Sequence, residues 1–329
     1  MKNIFGGGCI LLDIKPVKYE GLDCLDSLLS TIAAYWGHQY ELSFAQTWRF
    51  DYISSKDNTL TLGKRIVQNS NTIIKLFKNY HNIALTRYYN YDVDLLNNIK
   101  SNIQRSIPVG VWLDHFWTPW HESFKTAHGS HSFLIIGYDE SNNLICTDPY
   151  YLKENCILTP EQLRNGYKSH VFFHLKGNEE KIINWGSIII NNLNATYSKD
   201  FPVALYNNIQ KFANEILNNF NIKTETDGYK IIEQAPIIWN LAYVMINRKR
   251  YSCMLNYLGK KYSADILHTV AEKLEMSYNY WSEVRALVLK SYFDNSLKIE
   301  ANLYEKIMKI ANYENNIAVE LLNACHNLV

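Results

Sequence analysis

Hydrophobic and polar positions follow two different periods along the chain, and the change comes near residue 178. Before it, short apolar runs predict strands at 8–14, 83–87, 108–113, 132–138, 144–147 and 170–175. Helices are predicted there at 24–36, 41–50, 60–69, 93–104 (capped by Asp92) and after Thr159-Pro160. Beyond it, apolar residues at three- and four-residue steps predict helices at about 179–193, 201–219, 229–247, 260–293 with a break, and 297–327. We therefore expect an α+β domain over residues 1–177 and an α-helical domain over residues 178–329.

The segment 21–37 places a cysteine at the first turn of an amphipathic helix. Asp23 is a good N-cap and Gly37 a good C-terminal stop. A thiol at this end faces unsatisfied backbone N–H groups and the positive pole of the helix, which favour the thiolate form. Cys24 is therefore a candidate nucleophile. The alternative is that it is a small buried core residue, as most free cysteines are. The predicted buried face consists of Leu25, Leu28, Leu29, Ile32, Ala33 and Trp36.

Charge and cysteine usage narrow the class of protein. Lys and Arg number 33 against 32 Asp and Glu, a net charge of +1, which argues against a nucleic-acid-binding protein. No apolar run approaches the roughly 20 residues of a membrane span. The six cysteines are scattered singly, without a disulfide framework or a Cys-x-x-Cys metal pair. These features predict a soluble cytoplasmic protein.

A second candidate region lies between residues 108 and 150. His131 stands at the entrance of an apolar run that ends in Gly137-Tyr138-Asp139, and Asp148 follows the next apolar run. The polar turn 138–143 between them predicts a hairpin, in which the start of one strand lies beside the end of the other. His131 and Asp148 should therefore meet, as expected for a general base that is oriented by a third group.

These motifs together resemble the papain-like fold, closest to its C39-like branch. A capped helix bearing Cys24 is followed by a histidine that opens a strand, and then by Asp148-Pro149. Within that fold, the segment Leu-Asp-His-Phe-Trp-Thr-Pro-Trp (113–120) and the paired His128 and His131 resemble the N-terminal domain of the butirosin biosynthesis protein H family. The resemblance covers about residues 10–175. It implies an antiparallel sheet with an N-terminal catalytic helix.

The resemblance implies acyl transfer. The family member takes an acyl group from a carrier-protein thioester and forms an amide with a small amine, so the phosphopantetheine belongs to the partner and no resident cofactor is expected. Cys24 would be the nucleophile, His131 the general base and acid, and Asp148 the orienting carboxylate. Related proteins act in nonribosomal antibiotic biosynthesis, including amide formation in closthioamide-type pathways, and this chain could be one of those.

One departure from the papain-like pattern concerns the oxyanion hole. The position about six residues before the cysteine, a glutamine in papain-like hydrolases, is Lys18 here. The backbone N–H of Cys24 can serve as one donor, and the second is open. A reactive thioester tolerates the loss of a donor better than a peptide does.

Further residues are candidates for substrate binding. Asp114 matches an aspartate of the family segment and would either bind the amine or order the loop 115–130. Trp117 and Trp120 would wall an acyl channel, or belong to a loop packed by its own aromatic side chains. His128 and Tyr19 complete the predicted binding set.

Two alternatives to acyl transfer remain open on the sequence. The same three residues could serve a cysteine peptidase or amidohydrolase with water as the acceptor, or the fold could persist in a non-catalytic binding protein. The dense spacing of His115, His121, His128 and His131 makes a zinc site a further alternative. Metal-binding histidines usually have tighter helical or hairpin spacing. We therefore expect no metal.

Overall fold

The computed structural model describes residues 2–5, 9–54, 60–68, 71–177, 184–197, 200–294 and 298–326. In chain order, its strands are β1 Lys2–Phe5, β2 Cys9–Leu12, β3 Asp51–Tyr52, β4 Ile66–Val67, β5 Ile83–Tyr88, β6 Val109–Asp114, β7 Ser130–Tyr138, β8 Leu144–Asp148, β9 Lys153–Leu158 and β10 Tyr167–Leu175. Its helices are α1 Cys24–Tyr35, α2 Asn71–His81, α3 Leu95–Gln104, α4 Pro160–Gly166, α5 Trp185–Tyr197, α6 Phe201–Asn219, α7 Ile222–Thr226, α8 Pro236–Tyr262, α9 Asp265–Phe293 and α10 Glu300–His326. The chain is α+β, with a helical C-terminal region.

Residues 1–40 and 77–180 form one compact unit, built on an antiparallel sheet. Its strands run in the order β1-β2-β7-β6-β10-β5, and β8 pairs with β7 and carries β9. Helices α1 and α3 both contact β7. The central strand β7 is buried from His131 to Tyr138 and places His131 opposite Leu113 of β6. The sheet therefore holds the first residues of β7 rigidly beside the last residues of β8.

Residues 41–76 and 181–329 form a second unit of helices. Helix α8 packs on α9, and α10 packs on α6 and α9. Glu314 is fully buried among them and forms an ion pair with Arg248 at 2.8 Å. The carboxylate also accepts hydrogen bonds from Trp48, Ser277 and Trp281. A buried charge is tolerated here because each of its oxygens has several donors.

The structure corrects the interpretation of residues 41–69. The prediction of helices at 41–50 and 60–69 is wrong. The structure has short 3-10 helices at Glu41–Phe44 and Gly63–Arg65, and strand β3 pairs with β4. Helix α2 and strand β9 were not predicted. Trp48 bonds Glu314 and Arg65 bonds Glu215, so packing in the helical unit overrides the local periodicity.

The grouping of residues 41–76 differs from the predicted division at 177/178, since by contacts they belong with 181–329. The start of α3 also differs, because its N-cap is Asp94 while Asp92 accepts a hydrogen bond from the Asp94 backbone. The predicted helix 201–219 is confirmed. None of the described helices is long and apolar enough to cross a membrane.

Candidate active site

Helix α1 begins at Cys24, as its capping residues require. Asp23 Oδ1 accepts a hydrogen bond from the Asp26 backbone at 3.0 Å, which confirms the predicted N-cap. At the other end, Gly37 has φ +73°, and His38 N–H donates to Ala33 O at 2.8 Å, as in a Schellman motif. Cys24 therefore occupies the first helical position, half-buried, where its backbone N–H has no helical partner.

The predicted hairpin of β7 and β8 brings His131 and Asp148 together. His131 Nε2 lies 2.7 Å from Asp148 Oδ2, and Asp148 is fully buried at the end of β8. The Cys24 side chain lies within reach of the same imidazole and helps to raise its pKa. Because Nε2 is engaged by Asp148, Nδ1 is the nitrogen left for the sulfur. One imidazole thus links a carboxylate to a thiol.

The electrostatics of His131 follow from these two partners. Burial alone would lower its pKa, but the hydrogen bonds and negative charges of Asp148 and Cys24 raise the pKa to about 9. The imidazole is therefore protonated at neutral pH, where it is next to the Asp148 carboxylate and the Cys24 sulfur. Such a pair supplies both an activated sulfur and a proton donor for a leaving group.

Asp148 has two further donors. The indole Nε1–H of Trp120 donates to the same Oδ2 at 2.7 Å. The backbone N–H of Tyr151 donates to Oδ1 at 3.3 Å. The Asp148 carboxylate is thus hydrogen-bonded by a side chain of the loop before β7 and by the backbone of the turn after β8.

Residues 23–149 match the family model described as butirosin biosynthesis protein H, N-terminal. This part of the chain, less than half of its length, is similar to that family. The match begins at the N-cap of α1, ends one residue after Asp148, and so includes Cys24 and His131. No curated protein matches the chain at a significant level.

Aromatic side chains surround His131 in the butirosin protein H-like region. The rings of His121, Tyr150 and Tyr151 lie with centroids 5.2, 5.9 and 5.4 Å from that of His131. Tyr151 Oη and His121 Nε2 are 3.1 Å apart. Burial, and then the charges of His131 and His115, lower the pKa of His121 to about 4, so His121 is neutral at physiological pH.

Tyr150 and Tyr151 were not predicted as residues of the site, although they follow Asp148-Pro149 directly in the sequence. Burial raises the pKa of both hydroxyls, that of Tyr151 to about 12, and the charge of Cys24 adds to each effect. The ammonium of Lys18 lies 4.6 Å from the Tyr150 ring centroid.

Asp114 closes the base of the loop 115–129. Its carboxylate accepts hydrogen bonds from the backbones of Phe116 and Gly129, both at 3.1 Å, and bonds His128 Nδ1 at 2.9 Å. Burial alone would raise the pKa of Asp114, but His128 and the two backbone donors hold it below its usual value. These contacts order the loop, while a role of Asp114 in binding an amine stays a prediction.

The other residues predicted to bind substrate lie in or near this region, and their roles stay predictions. Trp117 packs under the Lys125 ammonium, 3.3 Å from its ring centroid. His128 is exposed and stacks on Phe116 at 4.5 Å. Tyr19 lies in the turn before α1, where its carbonyl accepts from Leu22 N–H at 3.2 Å.

The histidines of this region form a row of stacked rings. His115 and His121 are parallel with centroids 4.3 Å apart, and His121 meets His131 edge-on. Across the part of the chain that the structure describes, no group of three or more His, Cys, Asp and Glu is arranged to hold a metal ion.

Proposed function

We propose that this protein is an acyltransferase of a papain-like, C39-like fold that forms amides through an acyl group carried on Cys24. The observation that carries the proposal is the position of His131, whose imidazole bonds buried Asp148 and lies within reach of the Cys24 side chain. The family supports it, since the namesake protein acts in the biosynthesis of the antibiotic butirosin.

In the first half-reaction, the Cys24 thiolate attacks the carbonyl carbon of an acyl thioester on a carrier protein. The backbone N–H of Cys24, free at the first turn of α1, donates to the developing oxyanion. As the C–S bond to the carrier arm breaks, the His131 imidazolium gives its proton to the departing sulfur. The acyl group is then a thioester of Cys24.

In the second half-reaction, neutral His131 takes a proton from the attacking primary amine. The amide C–N bond forms, the C–S bond to Cys24 breaks, and the sulfur returns as thiolate beside the imidazolium. Asp148 keeps the imidazole aligned in both steps. The protein brings no cofactor of its own, because the phosphopantetheine arrives on the acyl-loaded partner in the cytoplasm.

The test uses benzoyl- and butyryl-pantetheine as donors and benzylamine as acceptor, with amide and free acid quantified separately. Amide formation that disappears in Cys24→Ala and falls steeply in His131→Ala supports transfer. Cys156→Ala is the matched control, since burial raises the pKa of that half-buried thiol to about 11 and leaves it a poor nucleophile.

Two outcomes contradict the proposal. Free acid as the sole product at every amine concentration indicates a hydrolase that uses the same three residues. Turnover that persists in Cys24→Ala excludes the cysteine as nucleophile altogether.

A further inference from the structure

The loop 115–129 reaches the buried carboxylate of Asp148 through one side chain, Trp120. Its indole Nε1–H and His131 Nε2 both lie 2.7 Å from the same oxygen, Oδ2. Both distances are short for N–H···O bonds, as expected for bonds to a charged acceptor. The other oxygen, Oδ1, accepts the longer bond from Tyr151 N–H at 3.3 Å. Trp120 thus helps to fix the rotation of this carboxylate against His131, together with the backbone of Tyr151.

The indole differs from the imidazole in one chemical respect. An indole N–H donates only and carries no titratable proton, whereas His131 gains and loses a proton during proton transfer. The Trp120 bond therefore persists in every protonation state of His131. It is a constant donor to Oδ2, while the bond from His131 changes with charge.

Several contacts hold the indole in this position. The Trp120 ring meets the fully buried Phe133 ring edge-on, with centroids 4.9 Å apart. The Trp120 carbonyl accepts a hydrogen bond from Lys153 Nζ at 2.8 Å. At the base of the loop, Asp114 ties Phe116 to Gly129. The indole is therefore fixed by its ring, by its backbone and by the closure of its loop.

We infer that Trp120 is a positioning residue, which orients Asp148 and shares the negative charge of Oδ2 so that Asp148 holds the imidazole of His131 in line with Cys24. The inference deepens the proposed function, on which its catalytic meaning rests. In this role the N–H edge of the Trp120 ring is bonded to Asp148. A residue that only walled a channel would use the face of its ring and would not need this bond.

The inference makes a prediction about charge. In Trp120→Phe the aromatic ring remains but the N–H is lost, so Oδ2 keeps more of its negative charge for His131. The pKa of His131 should then rise from about 9 by roughly half a pH unit or more, a fraction of the roughly 1–3 units produced by a direct charge contact. The substitution leaves unchanged the titratable groups that face His131: Cys24, Asp148, His115, His121, Tyr150 and Tyr151.

The measurement is an NMR titration of the protein labelled with ¹⁵N-histidine, with the His131 signals assigned by their loss in His131→Gln. Trp112→Phe is the matched control, because Trp112 lies in the same unit under the Arg87 guanidinium. Its titration should equal that of the wild type. Benzothienylalanine at position 120 provides a second variant, which keeps the shape of the indole without its N–H and serves if Trp120→Phe unfolds.

A raised pKa in both variants at position 120, with Trp112→Phe unchanged, supports the inference. An unchanged or lowered pKa overturns it, since Trp120 would then be a packing residue only. With thioester substrates, positioning predicts a lower kcat at an unchanged KM, whereas a raised KM at an unchanged kcat would identify a channel wall instead.

The titration needs neither donor nor acceptor, so the two proposals fail separately. A shifted pKa in a protein that transfers no acyl group leaves the positioning role standing and removes the proposed function. Acyl transfer with an unshifted pKa does the reverse.

Discussion

Asp148→Asn removes the negative charge beside His131 while keeping the size of the side chain. The site remains buried, and burial by itself lowers the pKa of the imidazole. In the native protein the negative partners overcome that effect and raise the pKa from 6.5 to about 9. The substitution therefore separates the effect of burial from the effect of the carboxylate.

The size of the effect follows from the pKa. A difference of about 2.5 pH units corresponds to roughly 3 kcal/mol in favour of the charged imidazole. Asp148 contributes more than Cys24, so its loss should remove at least half of this and place the pKa of His131 at roughly 7.7 or lower. The stabilisation of charged His131 by its partners is complete below about pH 6.5 and is lost as the pH rises through the pKa of the imidazole. That pKa is about 9 in the native protein and would be roughly 7.7 or lower in Asp148→Asn. At pH 8.5 the charged fraction of His131 would fall from roughly 0.76 to roughly 0.14, so we expect acyl transfer at least roughly fivefold slower.

Two assays follow this change. In an NMR titration of ¹⁵N-histidine-labelled protein across pH 5–10, the inflection of His131 should move from about pH 9 to near or below 7.7. Acyl transfer at pH 8.5 gives the rate. Asp139→Asn is the matched control, because this half-buried carboxylate bonds Asn143 within the turn of the same hairpin. A profile for Asp148→Asn that still turns near pH 9, or a rate within threefold of the wild type, would refute the reasoning.

Three further substitutions test the supports of the two units. Asp114→Ala removes the acceptor that closes the loop 115–129; limited proteolysis within the loop should become faster and transfer slower, and an unchanged cleavage rate would contradict this. Glu314→Gln leaves the Arg248 guanidinium buried without a counter-charge; we expect a loss of roughly 3–5 kcal/mol in urea unfolding, and a loss below about 1 kcal/mol would count against it. Gly63→Ala would place a Cβ 2.1 Å from the Ile237 backbone nitrogen; the melting temperature should fall, and a midpoint equal to that of the wild type would show that the backbone can shift.

Local signals in the sequence were sufficient for the elements that carry the candidate site. The N-cap of α1 is encoded in Asp23, and the hairpin of β7 and β8 in two apolar runs around a polar turn. Thr159 forms the capping box of α4 with Gln162. Each of these depends on residues a few positions apart, so the pattern contains the information.

Contacts between distant parts of the chain were not predictable in this way. Residues 41–69 look helical, yet Trp48 and Arg65 find their partners in Glu314 and Glu215. A single sequence shows no sign of a pairing across 150 or more positions. The grouping of residues 41–76 with the helical unit could not be predicted for the same reason.

The same limit applies within the candidate site. The meeting of His131 with Asp148 follows from strand pairing, whereas the bond from Trp120 to Asp148 depends on the path of a loop without regular structure over most of its length. That path is fixed by Asp114, for which the sequence left open whether it orders the loop or binds the amine and did not show its partners. Tyr150 and Tyr151 were detectable, since they are adjacent to Asp148.

Peptide mapping by mass spectrometry tests the central claim most directly. The protein is mixed with benzoyl-pantetheine in the absence of amine, digested and mapped. The account predicts a benzoyl adduct on the peptide that contains Cys24, absent from the peptide that contains Cys156, and discharged as the amide when benzylamine is added. An adduct on another residue, or rapid amide formation without any acylated Cys24, would contradict it.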